Sequence, residues 1–268
     1  MFQYVTDSPA VLGEGISISK NGKFLSWVDI LSHKFYFREL TSDKQICLEH
    51  WKFPSCTFQD ESQWVYIAHY GGIDRWNRVS GGVEHCTTWL EHEPALRCND
   101  GKMDDLGNIW ISTMAIGHEL NRGALWVWNR KGNPKLLLDG ISIPNSIAVN
   151  WDSKLLYFAD SHLGDILKCS IGVDLNLIDK PSLHFSNQSA DGIPDGSCLD
   201  SGGNLWNARW DGGCIISISP KGDLLRNIQT PHARPTSVVI ENEELFITFA
   251  ESKADGGTGR TAKLKLPN

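Results

Sequence analysis

Little in this sequence suits a disulfide scaffold, a basic binding surface or a membrane span. Its seven cysteines (47, 56, 86, 98, 169, 198 and 214) are odd in number, scattered, and without a CxxC pair. That argues against a disulfide framework or a structural zinc site, and for free thiols in a reducing cytosol. Lysine-rich stretches are absent and the formal charge is −7, so there is no basic stripe for nucleic acid or an anionic membrane. No apolar run approaches the ~18 residues that span a bilayer. The amino-terminal "MFQYVTDSPAVLGEG" has no basic segment followed by an apolar core, so a signal peptide is not expected. The expectation is a cytoplasmic protein with neither a nucleic-acid nor a membrane partner.

Long amphipathic helical patterns are also scarce. Glycine (25) and tryptophan (11) are abundant in the 268 residues, which favours an all-β chain with many turns and a sizeable core. Six segments repeat one pattern: "GEGISISKNGKFLSWVDI" (13–30), "FPSCTFQDESQWVYIAHY" (53–70), "CNDGKMDDLGNIWISTM" (98–114), "IPNSIAVNWDSKLLYFADS" (143–161), "IPDGSCLDSGGNLWNARW" (193–210) and "RPTSVVIENEELFITFA" (234–250). Each is a short alternating run, a tight polar turn and a second apolar run, which is a hairpin signature. The polar residues that open them are Glu14, Ser55, Asn99, Asn145, Asp195 and Thr236, at steps of 41, 44, 46, 50 and 41 residues.

That period, with four short strands per unit, predicts one six-bladed β-propeller domain over 1–268. The last unit has room for only one strand, "TAKLKL" (261–266), after "LFITFA". The otherwise unassigned "FQYVT" (2–6) supplies the missing strand and closes the ring, which removes exposed edges. The tryptophans of the second strands (Trp27, Trp64, Trp110, Trp206) read as inter-blade core. "DGGTG" (255–259) lacks the Lys-Ser/Thr ending of a phosphate loop and reads as a flexible turn.

The first strand of each propeller blade lines the channel, so the six opening residues form a ring at one mouth. The ends of the second strands return there with Asp29, Tyr70, Met114, Ser161, Trp210 and Glu251, and His69 and His162 nearby. Two ring positions are carboxylates and two are amides. Converging carboxylates repel, and hard oxygen donors without imidazole or thiolate suit calcium, magnesium or manganese. Taken singly, each residue is equally a turn or strand cap bonding local amides. His69 and His162 read as structural or rim histidines, and Asp100 as the cap of its hairpin turn. Trp210 is a candidate apolar wall.

The motifs "LGEG" (12–15), "RCNDGKMDDLGNIWISTM" (97–114), "ISIPNSIAVNWDSKLLYFADS" (141–161), "IPDGSCLDSGGNLWNARWDGG" (193–213) and "RPTSVVI" (234–240), in this order along the chain, resemble the gluconolactonase/regucalcin (senescence marker protein) family. The resemblance implies a six-bladed propeller with one divalent cation (Ca, Zn, Mn, Mg or Fe) held by Glu14, Asn145 and Asp195. It implies Arg97 and Asn99 as substrate-binding residues and Asp195 also as the catalytic base. The implied activity is a metal-dependent lactonase opening a sugar lactone to its aldonic acid. A non-catalytic cation-binding regulator, or an esterase or organophosphatase on the same scaffold, is the alternative. The sequence departs from the family pattern in Cys98 within "R-x-N-D", in "Pro-Asn-Ser" (144–146) for "Ser-Asn-Gly", and in Gly117, where relatives place a substrate-contacting glutamate. His118 or Glu119 is the candidate substitute.

Overall fold

The computed structural model describes residues 1–268 apart from 43, 91, 254, 255, 267 and 268. Six four-stranded antiparallel sheets follow one another along the chain. Their first strands are Gly13–Ile18, Cys56–Gln59, Leu96–Met103, Pro144–Asn150, Ile193–Leu199 and Pro235–Glu241. These strands touch one another in sequence order, and Gly13–Ile18 also touches Pro235–Glu241, so they form the inner ring of a six-bladed β-propeller. In blades 1 to 5 the strands run outward in chain order. Blade 6 is closed by the amino-terminal strand Gln3–Tyr4, which pairs with Ala262–Lys265. The expected closure is therefore present. Among the described residues, no helix is long and apolar enough to cross a membrane.

The core is divided into six layers, each between two adjacent blades. Val28, Phe35 and Trp51 of blade 1 meet Val65, Ile67 and Trp76 of blade 2. Val5, Ile16 and Trp27 likewise meet Phe246 across the blade 6–blade 1 junction. Period-two alternation produces this arrangement, since successive side chains of a strand face opposite neighbours. Trp27, Trp110 and Trp206 are buried as expected. Trp64 is only partly buried, with the Arg75 guanidinium 4.3 Å from its ring centre.

Two hairpins close by a shared device, D-x-x-G-N-x-W. Asp104 accepts the Leu106 and Asn108 N–H groups (3.0 and 2.8 Å), and also Trp110 Nε1 (2.8 Å). Asp200 does the same with Gly202, Asn204 and Trp206. One carboxylate thus satisfies the turn and orients the core tryptophan. Of the "DGGTG" tract, Gly257–Thr258 pairs with Glu251–Ser252 as a small ribbon rather than a plain turn, and Asp255 lies outside the described residues.

Five of the six inner strands carry a register shift, between Glu14 and Ser17, Cys98 and Gly101, Asn145 and Ala148, Pro194 and Ser197, and Pro235 and Val238. Each is a β-bulge, two residues opposing one, and it disturbs the alternation locally. Blade 2 pairs regularly from Cys56 to Gln59.

Candidate functional site

The bulges set the site. Glu14 precedes Gly15, whose φ is +56° and whose added Cβ would fall 2.3 Å from Cys56 Cα. Only glycine allows blade 1 to approach blade 2 this closely in the left-handed conformation. Asn145 precedes Ser146, at φ +60°, the position of the departure from Ser-Asn-Gly. The turn is retained, with Asn145 Oδ1 accepting the Ser146 N–H at 3.0 Å. Asp195 lies inside the blade 5 bulge, and its Oδ1 accepts Asn145 Nδ2 at 2.5 Å. Asn145 and Asp195 are both buried.

Arg97 and Asn99 are also brought together. The buried Arg97 donates from Nη1 to Asn99 Oδ1 (2.9 Å) and to the Cys98 carbonyl (2.8 Å), while Asn99 Nδ2 donates to the Pro144 carbonyl (3.1 Å). Charge links the two groups of residues. Burial raises Glu14 well above the usual carboxylate range, and the charges of Asp195 and Asp100 raise it further. Burial and Asp100 raise Asp195 in the same way, against the Asn145 amide and the Arg97 charge. Burial pushes Arg97 down, opposed chiefly by Glu14. Each ionised carboxyl therefore disfavours the next.

Asp100 is not the turn cap expected from the sequence. It lies within the inner strand Leu96–Met103, is buried, and accepts the Ile147 N–H of blade 4 at 2.9 Å. Burial raises it too. The hairpin turn itself, at Asp104–Gly107, lies at the opposite mouth. There a cleft of about 790 Å³ is lined by Lys102, Asp104, Asn150, Trp151 and Asp200. Its buried Asp104 already accepts four hydrogen bonds.

The remaining candidates are structural or peripheral. Ser55 donates its hydroxyl to the Phe53 and Cys98 carbonyls (3.1 and 2.5 Å), and Thr236 donates to the Gly13 carbonyl. Asp29 is buried and accepts the Val11, Leu12 and Ser32 N–H groups. Met114 is buried, Ser161 bonds the Pro194 carbonyl, and the Tyr70 hydroxyl bonds the Pro94 carbonyl. Trp210 is partly buried beneath the Arg234 guanidinium, 4.8 Å from its ring centre. His69 turns toward Asp74 of blade 2 at 3.4 Å, and His162, His118, Glu119 and Glu251 are exposed.

Sequence reasoning missed Ser146 and Asn207, both buried and bonded to the Asp195 carbonyl, and the buried Arg209 behind Asn207. A signal was present in "WNARW" (206–210). Polar residues between tryptophans at alternating positions of a core strand require buried partners.

Among the described residues, no three His, Cys, Asp or Glu side chains are grouped as metal ligands. The convergent donors are two carboxyls and one amide, and their surplus of buried negative charge fits a hard cation. Among the described residues Glu14 Oε2 accepts only the adjacent Gly15 N–H (3.0 Å), so no hydrogen bond to a described residue ties the side chain to another blade.

Residues 12–251 match the family model described as SMP-30/Gluconolactonase/LRE-like region. The pentonolactonase XacC of Haloferax volcanii is 26% identical over 259 residues, covering 95% of this chain and 87% of that protein. An uncharacterized protein of Sulfolobus acidocaldarius is 33% identical over 165 residues, 60% of each chain, so that match spans less than two thirds of the relative. Among solved structures, the calcium-binding protein regucalcin of Agrobacterium tumefaciens superposes with a TM-score of 0.92 at 23% identity, covering 99% of this chain and 94% of that one. At that identity the likeness concerns the fold.

Proposed function

The chain belongs to the SMP-30/gluconolactonase/LRE-like family, and from that premise we propose that it is a lactonase opening a sugar lactone to the aldonic acid, with Glu14, Asn145 and Asp195 holding one divalent cation. The observation that carries this reading is the charge conflict. Glu14 and Asp195 share one guanidinium, that of Arg97, the charge of Asp100 raises both of them, and burial drives all three carboxyls toward the neutral acid. A divalent cation removes the conflict, and two carboxylates with an amide oxygen are a hard donor set. When bound, it supplies Lewis acidity at the carbonyl oxygen and raises the acidity of nearby water.

The chain's own residues supply orientation and proton transfer. Among the described residues Arg97 uses only Nη1 for internal bonds, so Nη2 and Nε remain to bind lactone oxygens. Asn99 holds Arg97 Nη1 and keeps one amide hydrogen for substrate. Together they fix the ring against the nucleophile, which is worth far more than their binding energy alone. Water adds to the lactone carbonyl carbon and the ring C–O bond breaks. The Asp195 carboxylate accepts the water's proton, using the oxygen not held by Asn145. The ring oxygen leaves with the electron pair of that bond and takes up the proton from Asp195, which returns to the carboxylate; because the leaving oxygen stays tethered, little acid assistance is required.

The test is acid release from a panel of aldonolactones, before and after chelation and with each candidate cation restored. The expected result is hydrolysis that stops on chelation and returns with one or more cations. Hydrolysis unaffected by complete metal removal would sink the cation role. No turnover of any lactone with any cation would sink the activity.

A further inference from the structure

We propose that Asn207 and Ser146 are a positioning pair that locks Asn145 of blade 4 to Asp195 of blade 5, a proposal that rests on the reading of those two residues as cation ligands. Asn207 lies in the second strand of blade 5 and is fully buried, with 0% exposure. Its Nδ2 shares two hydrogens among three acceptors, the Asp195 carbonyl at 2.8 Å and Ser146 Oγ and Ser197 Oγ at 3.0 Å each. The Ser146 hydroxyl donates to the same Asp195 carbonyl at 2.6 Å. An amide from one blade and a hydroxyl from the next therefore meet on the backbone of one candidate ligand. Ser146 is also the residue immediately after the other, Asn145.

Two further observations indicate that this junction is specified. Ser146 stands at φ +60°, a conformation in which a non-glycine residue is strained by ~1 kcal/mol or more. Glycine would relieve the strain but would lose the hydroxyl that links the blades. The Asn207 amide is also held one way round. Its Oδ1 accepts Arg209 Nη1 at 3.3 Å, and a flip would set Nδ2 against that guanidinium, donor against donor. Arg209 is itself anchored, with Nε on the Asp191 carbonyl (3.0 Å) and Nη2 on Asn187 Oδ1 (2.5 Å) and the Gly192 carbonyl (2.7 Å). Asn207 thus acts through Asp195 and Ser146, as residues behind metal ligands commonly do.

The test is calorimetric titration of Ca²⁺ and of Mn²⁺ into metal-free protein, alongside thermal unfolding in chelator. Ser146→Gly and Ser146→Ala are expected to weaken cation binding alike, by ~10-fold, and Asn207→Ala by ~10–100-fold. The double variant Ser146→Gly/Asn207→Ala should bind no more weakly than Asn207→Ala, because both act at one junction. Single variants that bind as tightly as the wild type, or losses that multiply in the double variant, overturn the pair. A Ser146→Gly chain that binds more tightly than Ser146→Ala would make strain, not the hydroxyl, the cause, and also overturns it. If Asn207→Ala does not fold, the two Ser146 variants decide the question. Failure of the wild type to bind either cation refutes the ligand reading itself, which is a separate outcome.

Discussion

Blade 2 and blade 5 share four antiparallel strands and an apolar layer on each flank, but their inner strands differ in register. Cys56–Gln59 pairs without interruption, and its side chains alternate between neighbours. Thr57 bonds the Gly15 carbonyl of blade 1, while Phe58 packs beside Gly101 of blade 3. Neither direction leads to the channel. In blade 5 Asp195 and Gly196 together oppose Ala208, between the pairs Pro194–Arg209 and Ser197–Asn207. That extra residue breaks the alternation and lets Asp195 reach Asn145 across the blade boundary. Ser55, at the equivalent place in blade 2, has its hydroxyl on two carbonyls instead. Blades 1, 3, 4 and 5 bulge where their candidate site residues stand, but a bulge alone does not suffice, since Thr236 lies in the blade 6 bulge and bonds the Gly13 carbonyl of blade 1. In unbulged blade 2, Ser55 is likewise a stitch between blades.

The largest test of this contrast is Asp195→Asn, which keeps the shape and removes the proton acceptor. Its kcat/KM for the best aldonolactone is expected to fall by ~10²–10⁴-fold, while circular dichroism shows the same fold. Near wild-type rates would remove Asp195 from the chemistry.

The second test concerns buried histidines. In blade 2, burial pushes Asp74 up, but the neighbouring His69 and the bonds from His85 and Trp51 outweigh it and leave the carboxyl below its usual range. His184, in the outer strand of blade 4, is buried and has no partner for either ring nitrogen among the described residues. Burial, helped by Lys168, lowers it to about 4. Below the ordinary histidine range the unfolded chain takes up a proton that the folded chain refuses, so stability falls as pH falls from ~6.5 toward about 4. In urea unfolding the wild type should lose ~2 kcal/mol more than His184→Phe between pH 7 and pH 5, the difference isolating this histidine from the raised carboxyls of the site, whose effect has the opposite sign. Equal pH dependence in the two proteins would contradict it.

The smallest expected effect is that of Ser55→Ala. Losing one interblade hydroxyl should lower stability by ~1 kcal/mol and leave kcat/KM unchanged. A large loss of activity would mean that blade 2 contributes to the site after all.

Much of this was legible in the chain because it is local. The alignment of hairpins put Glu14, Asn99, Asn145 and Asp195 on one ring, whereas Arg97, and the choice of Glu14, Asn145 and Asp195 as candidate ligands, came from the family resemblance. The short strand near the amino terminus was found because the last unit lacked one. Asp100 was misread because a carboxylate beside a glycine looks like a turn cap until its partner, Ile147 of another blade, is known. Asn207 was missed for a related reason. A polar residue at every second strand position is ordinary when one face is solvated, and the tryptophans of "WNARW" were the one hint that both faces of Leu205–Trp210 are buried, as the packing shows.

The sequence by itself determined the number of blades, the closure of the ring and the residue types that open each inner strand. Strand alternation and turn chemistry act over a few residues and repeat with the chain's period. Tertiary structure decided which of those residues meet. The Asn145–Asp195 bond joins positions 50 residues apart, and the Thr236–Gly13 contact joins positions 223 apart. Contacts of that span depend on bulge register and on the approach of neighbouring blades, and neither is encoded in any single segment.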